Sequence, residues 1–109
     1  MSNVPAVSVE QLHDMLASPT PPVVVDVRDK WENDLCQVPG STLIPLVDLP
    51  KRLAELPKDR TLVMHCHHGG RSGRATAFLL EQGYQNVFNL TGGIHAWSLR
   101  VDPAVKTYT

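Results

Sequence analysis

The sequence predicts an α/β domain built on a mainly parallel sheet. Two observations carry this expectation. Short, largely apolar runs at 23–27, 61–65 and 87–90, the first dense in β-branched residues, read as strands. Between them lie segments whose apolar residues recur three and four apart, the period of a helix. Strands that alternate with helices favour parallel crossovers over hairpins. The 109 residues, 42% hydrophobic and 19% charged, suit one domain that buries a core without staples.

Residues 1–7 read as a short tail and a brief first strand. Residues 8–17 form a helix: Ser8 is the N-cap, Gln11 completes a capping box, and Leu12, Met15 and Leu16 share a face. His13 lies on its solvated side. A proline-rich connection at 18–22 leads into the strand at 23–27, with Asp26 and Arg28 at its end. Trp31 and Glu32 start a helical turn on the same rim, and 42–45 is a short strand. Leu46, Leu49, Leu53 and Leu56 follow at 3-4-3 spacing, so 48–56 is expected to be a helix with Pro50 in its first turn. The turn at 57–60 enters the strand at 61–65. From Ser72 on, Ala75, Phe78 and Leu79 recur at helical spacing, and Gly83 stops the run as a C-cap. After the last strand, Thr91, Gly92 and Gly93 cap a final helix in which Ile94 and Trp97 face the core. Residues 102–109 are a tail.

Chemistry concentrates where the strand at 61–65 gives way to the next helix. Cys66 ends the strand, and His67, His68, Gly69, Gly70 and Arg71 form the loop. A helix start carries unpartnered N–H groups and partial positive charge, which makes it an anion site and favours a thiolate. Gly69 and Gly70 let the loop amides turn inward, and Arg71 adds a forked cation suited to an oxyanion. The reading is a nucleophilic cysteine at the floor of an anion cradle. Four residues separate Cys66 from Arg71, whereas cysteine-based phosphatases place five in a similar cradle.

At this point the chain resembles the rhodanese (sulfurtransferase) family, whose active loop reads Cys-x-x-Gly-x-Arg-Ser/Thr. Residues 66–72 match it. So do Asp26-Val-Arg28, Trp31-Glu32, Val38-Pro39-Gly40-Ser41, Ile44-Pro45, Asn86-Val-Phe-Asn-Leu90 and Gly92-Gly93-Ile94 with Ala96-Trp97. The resemblance covers nearly the whole chain. It implies five mainly parallel strands, with 61–65 central and helices on both faces. It implies that Cys66 is the catalytic nucleophile, with Gly69, Gly70, Arg71 and Ser72 of the matching loop binding substrate. His67 and His68 are particular to this chain: they are placed with the substrate-binding residues as an influence on substrate charge preference, the other reading being loop surface. Asp26, Arg28 and Glu32 would have a structural role beside the site. Sulfane sulfur would pass from a small anionic donor such as thiosulfate, through a Cys66 persulfide, to cyanide, a thiol or a protein acceptor. No metal or organic cofactor is implied.

Rival readings follow from the same residues. The chain could carry persulfide sulfur to a partner protein, or process arsenate or phosphate on the same cradle; the shorter loop argues against the latter. Where the family has Gly-His, this chain has Cys36-Gln37, so Cys36 is either a small buried hydrophobe or a resolving thiol for Cys66. His65, Cys66, His67 and His68 look ligand-rich, but neighbouring side chains diverge and structural zinc draws on separated ligand pairs. His65 points away from the cleft, and His95 has no visible partner.

A net charge of −1 gives no general attraction to nucleic acid or anionic membrane. The opening Met-Ser-Asn-Val-Pro lacks the pattern of a signal peptide, and two cysteines make no disulfide framework. A cytoplasmic setting is the expectation.

Overall fold

The structure, a computed structural model, describes residues 4–108. Five strands, β1 (Ala6–Val7), β2 (Val23–Asp26), β3 (Thr42–Leu43), β4 (Leu62–His65) and β5 (Val87–Leu90), form one sheet in the order β1-β5-β4-β2-β3. Every pairing is parallel. The expected sheet is present, with β4 at its centre. Of the expected N-terminal tail and first strand, residues 1–3 lie outside the described residues, as does residue 109 of the tail.

Alternation along the strands splits the core in two. Val25, Leu62 and Met64 face α3 (Gly70–Glu81) and the turns at 46–55, packing with Leu49, Leu56, Ala75 and Leu79. Val24, Val63 and Leu90 face the other way, onto Val9 and Leu12 of α1 (Val9–Leu16) and Ile94 and Trp97 of α4 (Gly93–Arg100). A strand buried on both faces has no polar side to show. The runs at 23–25 and 62–64 are therefore continuously apolar rather than alternating. The short helix α2 (Lys30–Leu35) lies between β2 and β3 in the chain and buries Glu32.

Ser8 caps α1 as its sequence implies: its Oγ accepts from Gln11 N at 3.1 Å, and Gln11 Oε1 accepts from Ser8 N at 2.7 Å. The helix expected at 48–56 is instead two 3-10 turns, Leu46–Lys51 and Leu53–Glu55. Pro50 lies inside the first of them, where it has no N–H to continue an α-helical ladder. The leucine spacing still serves burial, since 3-10 turns repeat every three residues. No helix among the described residues is long and apolar enough to cross a membrane.

Candidate active site

Cys66 directly follows β4, at the C-terminal edge of the sheet, where ligand sites of open parallel sheets collect. It is 1% exposed. α3 begins at Gly70, two residues earlier than the apolar spacing suggests, because Gly69 turns the chain with φ of +117°. That left-handed turn brings backbone amides onto the sulfur. Gly69 N lies 3.1 Å and Ser72 N 3.4 Å from Cys66 Sγ.

Ser72 Oγ lies 3.3 Å from the same sulfur and 2.5 Å from Asn89 Oδ1. The orientation of Asn89 is fixed by its Nδ2, which donates to Gly69 O at 3.1 Å. The Ser72 hydroxyl thus has one proton and two neighbours able to accept it. While Asn89 takes it, the Ser72 lone pairs face the sulfur and can accept from a thiol. Asn89, on β5, was not singled out by sequence reasoning. Its signal is an amide at an interior strand position, where a polar side chain needs partners.

Beside the sulfur runs a buried polar network. Arg28 clasps Asp26, Nε to Oδ1 at 2.8 Å and Nη2 to Oδ2 at 2.7 Å, and also donates to Cys36 O at 2.6 Å. Burial opposes ionisation of Asp26, but the hydrogen bonds from Arg28 hold its pKa below the usual carboxylate value. Arg71 forks onto Glu32 with Nη1–Oε1 of 2.6 Å and Nη2–Oε2 of 2.8 Å. This fork holds the Glu32 pKa down at about 2 and raises that of Arg71. Arg71 is therefore both a wall of the cleft and one half of an ion pair.

Tyr108 joins the two pairs. Its hydroxyl donates to Glu32 Oε2 at 2.6 Å and accepts from Arg28 Nη1 at 3.1 Å. Burial and the bond to Glu32 push its own pKa up to about 12. The tail is thus docked at the site through a residue that sequence reasoning passed over. A lone aromatic in a terminal stretch gave the only hint of anchoring.

Cys66, His67, His68, Gly70 and Arg71 line one cleft, joined by Arg74. Arg74 lies three residues beyond Arg71 on α3, a spacing that places both on one face and could have flagged it. The His67 ring stacks on Tyr108, with centroids 3.9 Å apart and planes 9° apart. His68 lies 4.0 Å from His67, and His95 of α4 lies 4.9 Å from His68. Burial, then the neighbouring His68, lowers the pKa of His67. Ring nitrogens of His67, His68 and His95 all fall within 4.8 Å of one another, so these three could hold a metal ion. His65 is fully buried, opposite Asp26 in the β2–β4 register, and burial pulls its pKa down to about 4.

α4 presses its first turn onto the loop. Ile94 N donates to Cys66 O at 2.9 Å, and His95 N to His67 O at 3.1 Å. A Cβ on Gly93 would sit 2.4 Å from Cys66 O and 2.5 Å from His67 O, and its φ is +61°. Only glycine permits this approach. The other thiol lies elsewhere: Cys36 packs in the cluster with α1 and α4, whereas Cys66 packs in the cluster with α3.

A parallel α/β layer with a cysteine held over the opening amides of a helix defines a class of cysteine-centred anion-binding domains. Within that class, residues 8–100 match the rhodanese-like domain family, and the chain belongs to it. It is 40% identical over 96 residues to a sulfurtransferase of Allochromatium vinosum, spanning 88% of this chain and 90% of that one. A putative sulfur carrier protein, YrkF of Bacillus subtilis, is 31% identical over 97 residues, which are 89% of this chain and 52% of the carrier. Other relatives are longer, and this chain spans only 26% to 36% of three of them. A rhodanese-like domain protein of Staphylococcus aureus superposes with a TM-score of 0.83 at 27% identity, covering 96% of this chain and 99% of that one.

Proposed function

We propose that the chain is a thiosulfate-type sulfurtransferase with Cys66 as its nucleophile. The observation that carries this reading is the pair of amides, Gly69 N and Ser72 N, aimed at Cys66 Sγ on the floor of a cleft. The Cys66 thiolate attacks the outer sulfur of thiosulfate. A new S–S bond forms, the donor's own S–S bond breaks, and sulfite leaves with the electron pair. Cys66 then holds a persulfide whose terminal sulfur is anionic. The loop amides stabilise that charge by hydrogen bonding. Cyanide or a thiol attacks the terminal sulfur, and the Cys66 thiolate departs as leaving group. This is double displacement through a covalent intermediate. His67, His68, Gly70 and Arg71 shape the donor's approach, and Arg74 adds a cation to the same wall.

A second reading, delivery of a Cys66 persulfide to a partner protein, is favoured by the similarity to the putative sulfur carrier. Intact mass separates the two. Thiosulfate should add one sulfur, about 32 Da, to wild type and not to Cys66→Ser, and cyanide should remove it. If thiosulfate adds nothing while a persulfide donor does, the carrier reading replaces the first. Addition to Cys66→Ser would overturn both.

A further inference from the structure

We propose that His67, His68 and His95 form a binding site for a divalent transition metal of the zinc class at the mouth of the cleft. Three imidazoles offer ligand nitrogens within 4.8 Å of one another. Two of those residues carry a buried ring nitrogen with no hydrogen-bond partner, Nε2 of His67 and Nδ1 of His95. A buried polar atom left unpaired is costly, and an ion is one standard occupant of such a position.

The cluster is built rather than incidental. The backbone bond from His95 N to His67 O fixes α4 against the loop. Tyr108 holds the plane of the His67 ring by stacking. His68 is exposed and free to adjust. Zinc–nitrogen bonds of about 2.0–2.1 Å place ligand nitrogens about 3.3 Å apart in a tetrahedron, so closure needs movement on the order of an ångström. Small side-chain rotations of the three histidines supply it, with His68, the exposed one, freest to move.

The ligand chemistry selects the ion. Imidazole nitrogens suit Zn²⁺, Cu²⁺ and Ni²⁺, not Mg²⁺ or Ca²⁺, which want oxygen. Three neutral ligands leave the full double charge on the ion and a fourth position open, as in catalytic rather than structural zinc sites. This assignment stands whether or not the chain transfers sulfur. Sequence reasoning missed it because His95 lies on a separate helix.

The test uses untagged full-length protein carrying Cys66→Ser, so that no thiolate at position 66 contributes to binding. Zn²⁺ is titrated in competition with a chromophoric chelator. One Zn²⁺ per chain is expected, and His95→Ala and His68→Ala should each weaken binding by about tenfold or more. His13→Ala, at an exposed histidine outside the cluster, should not change it. Thermal melts of each variant check folding, and Zn²⁺ should raise the melting temperature only where the three histidines are intact. His68 is exposed, so its variant keeps the test valid if His95→Ala folds poorly. No bound Zn²⁺, or binding unchanged within about twofold in both variants, overturns the proposal.

Discussion

Replacing Glu32 by glutamine tests the polar network most directly. The carboxylate of Glu32 takes two N–H groups from Arg71, the Tyr108 hydroxyl and the Asp29 amide at 3.1 Å. These bonds hold its pKa at about 2, against an ordinary 4.5. At ~1.4 kcal/mol per pH unit, ionised Glu32 contributes about 3 kcal/mol near neutrality. Because the folded pKa is depressed, that contribution is complete above the unfolded value of 4.5 and is lost as the pH falls toward 2. Glutamine does not titrate, and it leaves the Arg71 cation without its counter-charge. Urea unfolding of both proteins at pH 7, 4 and 3 should show a gap of about 3 kcal/mol at pH 7, narrowing to about 1.4 kcal/mol at pH 3. The corresponding loss in melting temperature at pH 7 is on the order of 10–20 °C. Buried neutral His65, with its pKa pulled down to about 4, costs both proteins stability as the pH falls from 6.5. That slope is common and cancels in the difference. A gap below about 1 kcal/mol at pH 7, or one that does not narrow with acid, would refute the reasoning.

Outcomes are also expected for four other variants. Gly93→Ala should cost about 3 kcal/mol or more in thermal unfolding, since its Cβ meets two loop carbonyls. Gly70→Ala, with nothing within 4 Å, should change stability by less than about 1 kcal/mol, and equal losses would contradict the contrast. Tyr108→Phe keeps the stack on His67 but removes the hydroxyl between Glu32 and Arg28, so denaturant unfolding should show a loss of about 1–3 kcal/mol. Ser72→Ala leaves Asn89 Oδ1 without its donor and alters the surroundings of the sulfur. It should change the rate at which thiosulfate loads Cys66 in a rapid-mixing assay, and an unchanged rate would remove Ser72 from the site.

Local signals carried most of the fold. The valine run of β2 and the apolar run of β4 are legible because burial on both faces leaves an uninterrupted pattern. The α1 start is legible because a capping box is a four-residue affair. The leucines at 46–56 misled on helix type because spacings of three and four fit both a 3-10 turn and an α-helix.

From residue types alone the site was legible only as far as it is contiguous, while the family resemblance put Asp26, Arg28 and Glu32 beside it. Cys66 to Ser72 is one loop, and its chemistry follows from its residue types. Tyr108 reaches Glu32 across 76 positions and Arg28 across 80, and no periodicity encodes such a contact. Asn89 and His95 likewise arrive with β5 and α4, whose docking depends on the whole sheet. Arg71 is the instructive case. Its charge marks an anion site, yet its fork is already closed on a carboxylate 39 residues earlier.

The two thiols pack in different clusters, Cys66 with α3 and Cys36 with α1 and α4, and Cys36 Sγ rests 3.6 Å from Arg28 Nη1. A sulfur atom lodged on Cys66 would therefore find no second thiol in the cluster around it. Entry and exit would share one doorway, so the spent donor would have to clear it before a recipient arrived. Turn-taking would then be a matter of architecture, and any hand-over would depend on what the doorway admits.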